Sequence, residues 1–281
     1  MRPLQLLLAL CVPALLTGCS LLGDAFDLPA DPNVPVVRVE YQGGMIAPKG
    51  DFERTPLVTV YADGRVLQTG PVIAIYPGPL LQHLQEQRIS RVSIARLLEA
   101  ARTAGLTTAD VNYPAQTVAD APDTVITIRV GGRTITSRFG ALGLETGERG
   151  TAAERAARAA ASTFVAQATD LRRFLGAEAV GDVGTYAPTA LSVMTVPGTP
   201  QPSDPHLARP AVPWPLATPL ASFGTHLEHY PPNYRCGVVS GADLTTLLPV
   251  LEQATTLTGF TSGGETYLIV PRPLLPDESG C

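Results

Sequence analysis

Apolar and polar residues alternate at Val37, Arg38, Val39, Glu40 and Tyr41, the period-two pattern of a strand with one face buried. Two hairpins are predicted further on. Leu57–Tyr61 and Arg65–Thr69 flank the turn pair Asp63-Gly64, and Thr124–Val130 and Arg133–Arg138 flank Gly131-Gly132. Each hairpin precedes a helical period. In the first, Ser90 stands at the cap, Ile94, Leu97, Leu98 and Ala101 share a face, and Gly105-Leu106 has the form of a Schellman stop. In the second, a helix from about Thr151 to Leu175 carries Ala161, Phe164, Ala168 and Leu171 on one stripe, with Glu154 and Arg158 paired on its outer side. The expected order is ββαββα, an α+β fold with an antiparallel sheet and helices mainly on one face.

After a further strand at Ala190–Val196 the pattern changes. Residues 197–222 are crowded with prolines, which suit neither a helix nor a central strand, so the segment reads as a linker or as a strap held down by Trp214. Arg235–Val239 reads as a strand, Ser240 as the cap of a helix through Leu244, Leu247, Leu248 and Leu251, and Thr266–Val270 as a last strand. Pro249 is expected to kink that helix or end it early. This smaller strand-helix-strand unit either extends the first sheet or forms a second lobe, and two lobes sharing an interface is the preferred reading.

The N-terminus carries a different signal. Arg2 is followed by an apolar run from Leu4 to Leu16 that is too short to span a bilayer core, and then by Leu16-Thr17-Gly18-Cys19. This arrangement resembles the lipobox of bacterial lipoproteins. The resemblance implies cleavage before Cys19, lipid on its thiol, and a membrane as the first partner, with the chain on the outer face of the cytoplasmic membrane. The expected divisions are a signal segment 1–18, a flexible tether 19–35, an α+β domain 36–196, the proline-rich linker or strap 197–222, and a C-terminal lobe 223–281. Several further stretches are similar to those of uncharacterised lipoproteins from high-GC Gram-positive bacteria. They include the Asp63-Gly64 hairpin, Ile75-Tyr76-Pro77-Gly78-Pro79, Ala104-Gly105-Leu106, Asp120-Ala121-Pro122-Asp123-Thr124 and Arg235-Cys236-Gly237-Val238-Val239-Ser240-Gly241. That likeness bears on fold and location and carries no activity.

Cysteine usage agrees with export. Of four cysteines, Cys11 leaves with the signal and Cys19 takes lipid, so Cys236 and Cys281 are expected to form a disulfide, the alternative being two free thiols. A net charge of −5 without a basic run leaves nucleic acid no electrostatic footprint.

Catalytic constellations are sparse. His226 and His229 stand three apart beside Pro231-Pro232, which suits an exposed loop better than a helical metal motif. Ser240 follows a strand and precedes a helix, as a nucleophile elbow does, but its flanks are not Gly-x-Ser-x-Gly and a cap is the simpler reading. Asp120 and Asp123 flank Pro122 in a turn, where Asp is favoured by local hydrogen bonds. The glycines of Phe139–Gly150 lack the ending of a phosphate loop. No metal, cofactor or catalytic residue is expected. The better candidate is a binding surface formed by His226, His229, Tyr230, Tyr234 and Arg235, because Tyr and Arg anchor interfaces and neighbouring prolines lower the entropy cost of presenting them. The expectation is a non-enzymatic module that binds an envelope protein or wall polymer. A hydrolase without a recognisable motif, or an inhibitor-like decoy, is the alternative.

Overall fold

A computed structural model describes residues 26–144 and 150–281. The candidate lipidation site Cys19, with Cys11 and the apolar run before it, lies outside the described residues, as does Gly147. Over these residues the fold is α+β, with two mixed sheets of eight and six strands and five α-helices.

The first sheet is built from β1 (Pro35–Gln42), β2 (Val58–Tyr61), β3 (Arg65–Thr69), β4 (Leu84–Arg88), β5 (Val111–Tyr113), β6 (Asp123–Val130), β7 (Arg133–Gly140) and β8 (Gly184–Thr185). Their spatial order is β5-β7-β6-β1-β2-β3-β4-β8, and every pair is antiparallel except β5 with β7. The expected antiparallel sheet is therefore mixed, and the expected ββαββα order gains a third strand in each half. β5 is the source of the parallel pair, since the chain reaches it through a helix and a loop rather than a hairpin turn. β4 (Leu-Gln-Glu-Gln-Arg) and β5 (Val-Asn-Tyr) are short and polar, so neither shows the alternation that marks β1 or β6.

Two turns follow directly from sequence. Gly64 adopts φ +88° and its carbonyl accepts from Ile89 N at 2.9 Å, while a Cβ there would lie 2.2 Å from Ile89 O. Only glycine fits. Gly131 and Gly132 both take positive φ, as a two-residue hairpin loop requires.

Helices α2 (Arg91–Thr103), α3 (Ala152–Thr169) and α4 (Leu171–Leu175) pack on one face of this sheet. Ser90 caps α2 by accepting from Ser93 N, and the helix ends with Leu106 N donating to Ala101 O and Gly105 N to Arg102 O, the paired bonds of a Schellman motif. The long helix expected to Leu175 is broken at Asp170, whose side chain caps α4 by accepting from Arg173 N. Nor is the Glu154–Arg158 pair on an outer surface. Arg158 also donates to Gly140 O, Tyr113 O and Pro114 O, and both side chains of the pair are only 14% exposed. The pair clamps the start of α3 to the ends of β5 and β7.

The second sheet has β9 (Ala190–Pro197), β10 (Val212–Pro213), β11 (Thr225–His226), β12 (Arg235–Ser240), β13 (Phe260–Ser262) and β14 (Glu265–Pro273), in the order β10-β13-β14-β9-β12-β11. β9 lies between β12 and β14, so Ala190–Pro197 pairs with the C-terminal strands. Helix α5 (Gly241–Gln253) and the proline-rich segment cover one face. That segment is a strap: Trp214 is buried against Phe223 and Phe260, donates from Nε1 to Thr218 O, and is preceded by β10 on the sheet edge. Pro249 does not end α5 early, since the helix runs on for a turn past it, and Ser240 stands at the N-cap position without giving a side-chain cap. Gly241 at φ +58° turns the chain into the helix instead. The remaining helix, α1 (Pro48–Phe52), lies in the loop between β1 and β2.

The two sheets meet on the face of the first sheet opposite its helices. Tyr61, Leu67, Leu84, Tyr186 and Leu275 form a small apolar cluster there. Asp277 accepts from Arg38 at 2.8 Å and from the Tyr61 hydroxyl at 2.7 Å, and Tyr186 donates to Leu274 O. The disulfide Cys236–Cys281, with Cα atoms 6.0 Å apart, draws the C-terminus back to β12.

Candidate functional site

The residues expected to form a binding surface come together on the β11–β12 hairpin, at one edge of the second sheet. Several of their polar groups are committed within the fold. Arg235 donates to Phe223 O and Gly224 O, His226 Nδ1 lies 3.1 Å from Tyr234 O, and the rings of Tyr230 and Tyr234 are 6.2 Å apart. Tyr230 reaches across to Asp51 of α1, and burial with the neighbouring carboxylate raises its pKa. His229 is exposed at φ +67°. Tyr230, Tyr234 and Arg235 thus build the hairpin and its seam with the first sheet more than they offer open valences.

That seam leads to a feature the sequence pattern did not single out. The loops after β1 and β3 leave from the same end of the first sheet, as the β1–β2 and β2–β3 registers require. They are joined by a Thr55–Thr69 hydroxyl contact and by Gln82 Nε2 donating to Glu53 O. On them stand exposed apolar side chains: Met45 and Ile46 on the first, Val72, Ile73, Ile75 and Tyr76 on the second, with Tyr41 at the end of β1. Val72 is 72% exposed and Met45 81%. Single exposed hydrophobics are ordinary, but a run of them on adjoining loops marks an interaction surface. The second loop is supported at its base, where Leu80 N donates to Ala254 O and Thr256 N to Gly78 O. Its signal in the sequence is Pro71-Val-Ile-Ala-Ile-Tyr-Pro77, an apolar run bounded by prolines and lacking either period. Burial raises the pKa of Glu53 at the base of the first loop, with Lys49 only partly opposing it.

Of the cavities elsewhere among the described residues, two lie at junctions between elements. One, of about 810 Å³, runs between α2, α3 and α4 and is lined by Phe26, Arg96, Arg102, Thr163, Gln167 and Phe174 among others. The second, of about 620 Å³, lies at the seam between the sheets beside Arg38, Glu40, Arg129 and Asp277. There Arg38 is held by Asp277. Burial opposes its charge, but the carboxylate and its hydrogen bond prevail and raise its pKa. Tyr61 is raised as well, by burial first and then by its bond to the same carboxylate.

The chemistry-bearing candidates remain dispersed. Ser240 is exposed at the head of α5. Asp120 takes φ +60° in the turn, where its carbonyl accepts from Met45 N, and Asp123 opens β6 opposite Gln42. Among the described residues no group of three or more His, Cys, Asp and Glu side chains is placed to hold a metal ion. No described helix is long and apolar enough to cross a membrane. Comparison of the chain with protein-family models, curated proteins and solved structures finds no match.

Proposed function

We propose that the chain is a lipid-anchored, extracytoplasmic protein of the cell envelope, tethered through Cys19 to the outer face of the cytoplasmic membrane. In this reading it acts as a non-enzymatic binding module whose partner is another envelope protein. The observation that carries the binding role is the apolar loop end: Val72, Ile73, Ile75 and Tyr76 on one loop with Met45 and Ile46 on the loop joined to it, all exposed. Apolar side chains of this size held on supported loops are what a protein interface buries at its centre. The Cys236–Cys281 disulfide supports export, because such bonds persist in oxidising compartments. The residues before Cys19 support the anchor.

The test has two parts. The Cys19→Ala chain should leave the membrane fraction, and mass spectrometry of the wild type should find diacylglycerol on Cys19. Affinity purification from detergent-solubilised envelopes should recover a protein that the Ile73→Asp, Ile75→Asp double variant fails to retain. Equal recovery by both chains would remove the loop end from the account.

A further inference from the structure

We infer that the face formed by α2, α3 and α4 rests on the membrane, with its arginines against the headgroup layer of anionic phospholipid. The inference rests on the proposed lipid at Cys19 and adds an orientation to it. The stretch 26–34 is not a free spacer. Phe26 and Leu28 pack against the first-sheet core, Arg65 donates to Pro32 O and Asn33 Oδ1, and Ala62 N donates to Val34 O. Only the seven steps from Cys19 to Phe26 are left to separate lipid from domain, at most about 25 Å when fully extended.

Phe26 sits in the groove between α2, α3 and α4, so the chain leaves the domain on the helical face. The charge on that face suits what it would meet. α2, α3 and α4 together carry seven arginines against two carboxylates, Glu99 paired to Arg102 and Glu154 paired to Arg158, which leaves these helices with a net positive charge. The chain as a whole is at −5. Clustered arginines beside a lipid anchor are drawn to an anionic leaflet, and a single anchor with a second, electrostatic contact holds better than either alone. At the loop end the charges are mixed, Lys49 pairing with Glu53 and Arg54 with Asp51, so among the described residues that end offers anionic lipid no unopposed basic cluster.

The experiment uses the full lipidated chain in vesicles of phosphatidylcholine and phosphatidylglycerol that carry a headgroup nitroxide. A fluorophore is placed in turn at Thr163→Cys in the helical groove, at Ala74→Cys on the apolar loop, and at Glu228→Cys on the hairpin. The expected result is quenching at 163 at least threefold stronger than at 74 or 228, and its reduction to their level in the Arg96→Glu, Arg102→Glu variant. Mass spectrometry reads the lipid on Cys19 in the same samples. Lipid present with equal quenching at all three positions, or strongest quenching at 74, overturns the orientation and leaves the anchor standing. Lipid absent from Cys19 overturns both.

Discussion

The loop end and the helical face are both surfaces on which apolar groups meet solvent, yet they are built in opposite ways. At the loop end, Val72, Ile73, Ile75 and Tyr76 project from a segment with neither helical nor strand period, fixed at its base by bonds to the segment that follows α5. On the helical face the apolar groups lie in a groove between regular elements, and arginines stand on its rim. Exposed side chains on a supported loop meet a partner of matching shape at little cost to the fold. A groove with a charged rim on rigid helices suits a broad, chemically uniform partner. The lesson is that exposed apolar area alone does not name a partner; the charge around it and the route of the chain to it do.

The largest expected effect separates the supports of the two surfaces. Replacing both Cys236 and Cys281 with Ser removes a link across 45 residues, for which loop-closure entropy predicts a loss of about 4 kcal/mol. Hydrogen exchange should then quicken in β12, β14 and the C-terminal tail while α2 and α3 keep their protection. Uniform loss of protection would show that the two regions fold as one unit.

A smaller effect is expected at the seam. Asp277→Ala strips the acceptor from the partly exposed Arg38 and from the hydroxyl of the buried Tyr61, and should cost about 2 kcal/mol by denaturant unfolding. A value near zero would mean that the apolar cluster around Leu275 alone joins the sheets.

Alkaline pH probes the same seam. Burial, with nearby charges contributing, raises Tyr186 from 10.0 to about 12, and Tyr61 is raised further. A tyrosine of raised pKa stays protonated in the fold while its unfolded counterpart ionises. Stability is thus complete below pH 10 and falls as pH rises above it, by up to about 1.4 kcal/mol per pH unit for each group. Tyr186→Phe should lose about 1 kcal/mol at neutral pH, from its bond to Leu274 O, and show a shallower decline between pH 10 and 12. An unchanged decline would place the alkaline sensitivity elsewhere.

The smallest effect on stability is expected at the loop end itself. Ile73→Asp and Ile75→Asp change side chains already in water, so unfolding should shift by no more than about 0.5 kcal/mol. A larger loss would mean that the loop packs in solution and is not an open surface.

What sequence reading reached and missed follows from the same physics. The hairpin turns, the α2 cap and its Schellman stop were legible because each depends on a few adjacent residues. The Cys236–Cys281 pairing was legible once Cys11 and Cys19 were assigned. β5 and β10 were not, being short parallel additions to sheet edges, held in place by elements distant in sequence. The break at Asp170 was hidden inside an unbroken apolar stripe. The hairpin of His226, Tyr230, Tyr234 and Arg235 was read as a surface from residue type alone, whereas its bonds to Gly224 O, Tyr234 O and Asp51 are visible only in the fold. The apolar loop fits no periodic element, and that misfit is its signal.

The central claim, that the two surfaces meet different partners, is tested most directly by photo-crosslinking on intact cells. A photoreactive residue is introduced singly at Ala74 and at Thr163, with exposed Val238 as the reference position. The account predicts a discrete protein adduct from position 74, phospholipid adducts from position 163, and neither from 238. A protein adduct from 163 together with phospholipid adducts from 74 would contradict it.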